Sequence, residues 1–275
     1  MLDRLYVRKK IEQFLMEDIG YSDLTSDNLG ISKDIKASVI AKEDGIIAGI
    51  DFAKEVFLIL DRDIRFPFSL KDGSEVKKGD TVLSVEGSAV SVLKGERVAL
   101  NILQRLSGIA TTASRYAEKI KDLKTRILDT RKTTPGFRAF EKYAVKVGGG
   151  SNHRFALYDM VMIKDNHIAV CGGITKAVNR IRENVSPMVK IEVEVSDLNQ
   201  LKEALSLNVD IIMLDNMSLE MLKEAVNIVN GKVLLEASGN ITVENVRDVA
   251  LTGVDFISSG SIIHSSRWLD LSMKI

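Results

Sequence analysis

One pattern recurs six times in the second half of the chain. An apolar run with strand character ends, and polar, charged or glycine residues follow at once. Ile127-Leu128 leads into Asp129-Thr130-Arg131-Lys132, and Val161-Met162-Ile163 into Lys164-Asp165-Asn166-His167. The third run, Lys190 to Glu194, carries its own acids. Ile211 to Leu214 precedes Asp215-Asn216, Val233-Leu234-Leu235 precedes Glu236-Ala237-Ser238-Gly239, and Phe256-Ile257 precedes Ser258-Ser259-Gly260. Helical periodicity fills the intervals at 137–147, 174–184, 197–206, 218–229 and 242–250. Strands that alternate with helices pair in parallel through right-handed crossovers. In a barrel built this way the C-terminal strand ends share one face, and that face holds the active site. The pattern therefore constrains both the fold and the place of any chemistry. Six strands are predicted, near 126–128, 160–163, 189–194, 210–214, 232–236 and 255–258. That is fewer than the eight of a full barrel, so an incomplete α/β barrel is expected, with an open doubly wound sheet as the alternative.

The first third reads differently. Residues 4–18 form an amphipathic helix with Leu5, Ile11, Phe14, Leu15 and Ile19 on one side. Glu43-Asp44-Gly45 predicts a hairpin between two strands within 35–50, followed by a helix over 51–61. Short strands are expected near 64–69, 81–85 and 89–93, with turns at Asp72-Gly73, Lys78-Gly79-Asp80 and Glu86-Gly87. This is an α+β domain. Its turn spacing also suits a lipoyl- or biotinyl-type carrier, but the lysine such a carrier needs at a hairpin tip is absent, so ordinary hairpins are the better reading. A helix over 95–121 links the two parts. The expected domains are 1–107, 108–265 and a tail, 266–275, whose Trp268, Leu269 and Leu271 return to pack on the first domain.

Charge narrows the partners. The 38 basic and 38 acidic residues cancel, which argues against a general nucleic-acid or anionic-membrane binder. Within 131–167, however, Arg131, Lys132, Arg138, Lys142, Lys146, Arg154 and Lys164 face only Glu141, Asp159 and Asp165. A local basic excess in a neutral protein suits a small anionic ligand; for Lys142 and Lys146 a solvated helix face is the competing reading. Cys171 is the single cysteine, so no intrachain disulfide can form and a reducing compartment is expected. Nothing near it in sequence marks it as an activated nucleophile. The charged first ten residues lack a signal peptide's apolar core, and no apolar run approaches membrane-spanning length, so a cytoplasmic protein is expected.

Several strand ends carry groups with chemical use. Glu192 and Glu194 are two apart on a strand and share a face. Carboxylates inside a barrel are costly unless they meet cations, a metal or hydroxyls; the alternative is that both face the outer helices. Asp215, one strand later, can join Glu194 to bind a divalent cation or ribose hydroxyls. No His/Cys spacing suggests zinc. Ser238-Gly239-Asn240-Ile241-Thr242 and Ser258-Ser259-Gly260-Ser261 each leave a strand and can open a helix, an arrangement that binds phosphate through backbone N–H groups. Arg131, Lys132, Arg154 and Lys164 gather cations near the first two strand ends, where arginine forks match carboxylates and lysine acts as a point charge. Together these read as a pocket for two anions, a sugar phosphate and an organic acid. All three histidines, His153, His167 and His264, lie in this half.

The block from Asp129 to Arg138 (DTRKTTPGFR), with Glu141 to Val145, Gly148 to Gly150, Asn152-His153-Arg154, Leu157 to Asp159 and Ile163 to Ile168, resembles the quinolinate phosphoribosyltransferase family. So do Glu17 to Gly20 with Asp23 to Thr25, Glu96-Arg97 with Leu106 to Thr111, Glu192 to Glu194, Leu235 to Thr242 and Ser259 to Ser265. The likeness runs in order through nearly the whole chain. It departs at Ser196 to Gln200, outside the site, where the family has an acid-bearing helix start.

The resemblance implies an N-terminal α/β sandwich, a C-terminal barrel of fewer than eight strands, and a reaction between quinolinate and phosphoribosyl pyrophosphate with Mg²⁺. The implied products are nicotinate mononucleotide, pyrophosphate and carbon dioxide. It further implies that Arg131, His153, Arg154 and Lys164 hold the quinolinate carboxylates, with Arg97 reaching in from the partner subunit of a homodimer whose active sites are shared. Dimers of this kind can assemble further. Lys132 would contact phosphoribosyl pyrophosphate, and Glu194 and Asp215 the ribose hydroxyls and the metal. Ser238, Gly239, Gly260 and His264 would hold phosphate. Catalytic work would fall to Lys132, Lys164, Glu194 and Asp215.

Three other readings compete. A related branch associated with molybdenum transport shares the implied fold and takes a different acceptor; Lys164 to His167 favours the quinolinate branch. A Schiff-base aldolase would use Lys164 as its amine, among an unusual number of arginines for that chemistry. A non-enzymatic anion sensor would keep the cations but has no need of Glu192, Glu194 and Asp215 together.

Overall fold

The chain divides into two units in the computed structural model, which describes residues 2–275. The first unit takes the chain up to Ser114, together with Thr134–Gly149 and Ser266–Ile275; the second takes Arg115–Thr133 and Gly150–Ser265.

The first unit opens with α1 (Arg4–Ile19), capped by the Asp3 side chain, which accepts the N–H groups of Leu5 and Tyr6. Val7, Ile11 and Leu15 face inward, whereas Leu5 is 80% exposed, so the helix is where the sequence puts it but its buried face is rotated. Then follow β1 (Asp34–Ala41), β2 (Gly45–Ile46), α2 (Ile50–Leu60), β3 (Arg65–Ser69), β4 (Glu75–Val76), β5 (Thr81–Ser88) and α3 (Ala89–Lys119). Strand β1 pairs with β5 and with the C-terminal strand, and β2 pairs with β4, so the hairpin expected at Glu43-Asp44-Gly45 does not form. Glu86-Gly87 is no turn either: it lies inside β5, where a Cβ on Gly87 would come 2.7 Å from Ile64 Cδ1. The expected strand at 89–93 is the start of α3. Val90 and Val92 favour a strand intrinsically, but Val92 buries completely on the helix, and packing overrides propensity.

Two further strips of chain belong to this unit. Helix α4 (Arg138–Val147), expected within the barrel, packs here through aromatic contacts. Phe140 meets Phe52 edge-on at 5.0 Å, and Phe14 lies 6.0 Å away. The buried Glu141 accepts hydrogen bonds from Arg105 Nε at 3.0 Å and from the Thr134 N–H at 2.8 Å. Lys142 is buried and Lys146 exposed, so the solvated-face reading holds for only one of the two. The boundary expected between residues 107 and 108 falls inside α3, a continuous helix, and the division comes after Ser114.

The second unit is a single parallel sheet with its helices. In chain order it has β6 (Arg126–Leu128), β7 (Val161–Ile163), α5 (Asp165–Cys171), α6 (Ile174–Asn184), β8 (Ile191–Val195), α7 (Leu198–Ser206), β9 (Ile211–Asp215), α8 (Leu219–Val229), β10 (Leu234–Ser238), α9 (Val246–Ala250), β11 (Phe256–Ser258) and α10 (Ser261–His264). Strand β12 (Leu271–Lys274) returns to the first unit, antiparallel to β1. The sheet order is β6-β11-β10-β9-β8-β7. First and last strands are neighbours and every other strand follows its predecessor, which is the cyclic order of a barrel. A doubly wound sheet would instead reverse direction at an internal switch point. The ring is broken between β6 and β7, where Ser151 alone bridges to Leu128. The second unit is thus an incomplete six-stranded α/β barrel, and the first unit is built on an antiparallel sheet. Apolar residues such as Val193, Ile212, Leu214 and Ile257 fill the sheet's faces. Among the described residues no helix is long and apolar enough to cross a membrane.

Candidate active site

The C-terminal ends of the parallel strands open into a cleft of about 930 Å³. Lys132, Arg131, His153, Arg154, Lys164, Glu194, Asp215, Ser238, Gly239, Gly260 and His264 all line it. Local chemistry explains how each arrives there.

At the end of β6 the side chain of the buried Asp129 accepts the His153 N–H at 2.9 Å and an N–H of the Asn152 carboxamide at 2.6 Å. The segment after the ring break is thereby tied to the first strand. Arg154 Nη1 donates to the Met160 carbonyl at 3.0 Å, leaving the rest of its fork toward the cleft. Burial lowers the Arg154 pKa, and Arg131 close by adds to the effect. Lys164 follows β7 directly, and its N–H is accepted by His167 Nδ1 at 2.9 Å, which starts α5. The Lys164 ammonium is in direct contact with the Glu194 carboxylate.

Glu194 and Asp215 occupy adjacent strands. Glu194 is level with Met213, and Asp215 lies two residues further toward the cleft on the same face. Both Glu192 and Glu194 point into the barrel, not toward the helices. Glu192 is completely buried beneath the cleft, and a second buried acid, Glu236 of β10, accompanies it. Sequence reasoning missed Glu236 as a site group; its spacing of two from Ser238 puts it on the cleft-facing side of β10. His153 Nε2 lies 3.1 Å from Glu192 Oε2 and 3.4 Å from Glu236 Oε2. Burial disfavours a charged ring, but the two carboxylates outweigh it and raise the imidazole to about 10. Burial likewise pushes the Glu192 carboxyl above its usual range, against the pull of His153. Nδ1 accepts the Arg154 N–H at 2.7 Å, which opposes a second ring proton there. Both influences put a proton on Nε2; they compete at Nδ1, where the direct Arg154 N–H contact favours a bare nitrogen.

The late loops fit closely. Gly239 has φ 101°, and a Cβ there would collide with the Asn216 carboxamide. That carboxamide donates to Asp215 Oδ2 at 2.8 Å and accepts from Asn240 Nδ2 at 3.1 Å, so the glycine lets β9 and β10 loops interlock. At Gly260 a Cβ would lie 2.7 Å from Lys132 Cδ and 3.1 Å from the His264 ring, so the missing side chain leaves room for both side chains. Ser259 Oγ donates to the Ile241 carbonyl at 3.0 Å and joins the two loops. Only the Gly260 loop opens directly into a helix, the short α10. The Gly239 loop is followed by a turn, with α9 starting at Val246, because Asn245 Oδ1 takes the Thr242 N–H in a local turn. Arg97 lies on α3 in the first unit and is not among the residues lining this cleft.

Comparison with known proteins adds a family. Residues 23–107 match the family model of the quinolinate phosphoribosyl transferase N-terminal domain, and residues 109–274 that of its C-terminal domain. A probable nicotinate-nucleotide pyrophosphorylase [carboxylating] from Synechocystis sp. is 47% identical over 268 residues, covering 96% of this chain and 91% of that protein. One from Bacillus subtilis is 43% identical over 274 residues, covering 100% of this chain and 95% of that protein. The crystal structure of NadC from Streptococcus pyogenes superposes with a TM-score of 0.95 at 42% identity, covering 100% of this chain and 98% of the other.

Proposed function

The chain belongs to the quinolinate phosphoribosyltransferase family, and we infer from this that it is a decarboxylating phosphoribosyltransferase of NAD biosynthesis that forms nicotinate mononucleotide from quinolinate. The observation that carries the reading beyond family membership is the single cleft itself. It has cations from the first two strand ends on one side, carboxylates of β8 and β9 at the centre, and glycine loops of β10 and β11 on the other.

The division of labour we propose follows from charge. Arg131, Arg154 and Lys164 bind the carboxylates of quinolinate, while His153, with Nε2 toward Glu192 and Glu236 and Nδ1 taken by the Arg154 N–H, supports Arg154 from beneath. Ser238, Gly239, Gly260 and His264 hold phosphate of phosphoribosyl pyrophosphate, and Lys132, lying against Gly260, bears on the same substrate. Glu194 and Asp215 face the ribose. As pyrophosphate leaves, the anomeric carbon becomes cationic, and preorganised carboxylates stabilise that charge. Lys164 must serve both sides: its ammonium holds Glu194 until a substrate carboxylate competes for it. After the ring nitrogen is alkylated, its positive charge stabilises the carbanion left on the adjacent carbon as the carboxylate departs as carbon dioxide, and a proton from solvent then replaces the carboxylate at that carbon. No protein nucleophile is required, so the protein's contribution is positioning and field.

Mg²⁺ belongs to the proposal. The carboxylates of Glu194 and Asp215, beside the Asn216 carboxamide, are hard oxygen donors and few in number, which suits an ion that completes its shell with water and substrate phosphates. Bound there, it would neutralise charge on the leaving pyrophosphate. The active assembly we propose is a homodimer in which Arg97 of each copy completes the acid pocket of the other, in the cytoplasm.

The direct experiment is product analysis. With Mg²⁺ and phosphoribosyl pyrophosphate, quinolinate is expected to give nicotinate mononucleotide and carbon dioxide, and nicotinate is not. Turnover of nicotinate with no release of carbon dioxide from quinolinate would refute the assignment. The acid pocket has its own test. Arg154→Lys keeps the charge and loses the bidentate fork. Quinolinate binding should weaken by roughly 1.5–3 kcal/mol, the range of a hydrogen bond to a charged group. Isothermal titration measures it, and unchanged affinity would remove Arg154 from the pocket.

A further inference from the structure

Two buried acids that the reaction described above does not use meet His153 beneath the cleft. His153, Glu192 and Glu236 place their ligand-type atoms within 4.8 Å of one another. Both glutamates are completely buried. They rise from β8 and β10, with β9 between them, so they cross the barrel interior toward a common centre. Two carboxylates there are expensive, and well-packed apolar side chains of similar size would be at least as stable. Their presence calls for a role that apolar residues cannot fill.

The geometry around His153 supplies one. Its Nε2 faces both carboxylates, at 3.1 and 3.4 Å. Its Nδ1 accepts the Arg154 N–H at 2.7 Å, and its own N–H is held by Asp129 at 2.9 Å. The backbone and Nδ1 are thus held by hydrogen bonds and Nε2 by the charge of the two acids, and the hold extends to the first backbone atom of Arg154. A metal ion in the same spot would have to displace the Nε2 proton, and the imidazole already stands between the acids. Resting on the reading of the cleft as a quinolinate site, we propose that Glu192 and Glu236 are positioning residues. They hold the His153 ring with its Nε2–H toward the barrel interior, and through the Nδ1 contact to the Arg154 N–H they set the orientation in which the Arg154 fork meets the substrate's carboxylates.

Glu192→Gln and Glu236→Gln are nearly isosteric and each removes one of the anchoring charges. The KM for quinolinate should rise roughly tenfold in each, while the KM for phosphoribosyl pyrophosphate stays within about twofold and kcat falls less than the quinolinate KM rises. A merely structural role would disturb both substrates alike. In a His153→Gln background, Glu192→Gln should add no further rise, because the carboxylate acts through the ring. Absence of turnover in the wild type overturns the reading of the cleft and this proposal with it. Turnover in the wild type with an unchanged quinolinate KM in both variants overturns the proposal alone. So does a stoichiometric divalent metal retained by the purified protein and lost in Glu192→Gln. One measurement needs no variant to fold: with three histidines in the chain, ¹⁵N-imidazole NMR of the wild type resolves His153. Its Nε2 is expected protonated at neutral pH, and a bare Nε2 would refute the arrangement.

Discussion

Asp215→Asn is expected to fold normally and to lose turnover by at least about 100-fold, the scale on which removal of one preorganised transition-state group acts. Asparagine is nearly isosteric, and the side chain it replaces sits at a strand end, partly exposed, making one contact, with the Asn216 carboxamide at 2.8 Å. Little stability depends on it. What disappears is a negative charge at the centre of the cleft, needed only when the anomeric carbon becomes cationic, together with half of the donor set proposed for Mg²⁺. The variant should also respond weakly to Mg²⁺. Initial rates across a Mg²⁺ series, with circular dichroism to verify folding, decide the matter. Normal turnover with normal Mg²⁺ dependence would make Asp215 a structural cap for the interlocked Asn216 and Asn240.

The barrel was legible because its signal is redundant. Each parallel strand is short, apolar and followed at once by polar residues, and the helices between have their own period. A misplaced boundary, such as 232–236 for β10 in place of Leu234–Ser238, does not change the count or the direction of the strands. The first unit offered no such redundancy. Gly45 and Gly87 look like turn residues, but only non-local pairing decides which strand β1 meets, and β12 comes from the other end of the chain. Helix α4 illustrates the same limit. Its sequence position lies between barrel strands, yet Phe140 finds its aromatic partners on α1 and α2.

The cleft was legible residue by residue, and its pairings were not. Strand-end position marks Lys132, Lys164, Asp215 and Gly260 individually. That Lys164 touches Glu194, or that Gly260 makes room for Lys132 and His264, depends on loops distant in sequence. Glu236 heads the polar stretch after Leu235, but the Ser238-Gly239 loop beside it is the stronger signal there, and nothing in the sequence shows that its side chain meets Glu192 and His153 across the barrel. The inward acids Glu192 and Glu194 drew attention by standing together; a lone acid two residues before a serine did not.

Arg97→Ala and Lys164→Ala should each be nearly inactive alone, and a mixture of the two should recover activity after subunit exchange. The cations proposed for the acid pocket come from two sources: Lys164 follows a barrel strand, whereas Arg97 lies on α3 in the first unit and is not among the cleft-lining residues. If each pocket takes Lys164 from one copy and Arg97 from the other, the variants complement. In a mixed dimer, the copy carrying Arg97→Ala keeps its own Lys164 and receives an intact Arg97 from its partner, so that site works. The other site lacks both groups. Random pairing in a two-fold dimer makes about half of all dimers mixed, each with one working site of two, so recovery should approach about a quarter of wild-type activity. Native mass spectrometry verifies the exchange and the dimer, and the product assay reads the recovery. A mixture that exchanges but stays inactive would place Arg97 within its own chain's site or outside any site, and a protein that is monomeric at assay concentration would exclude the shared pocket altogether.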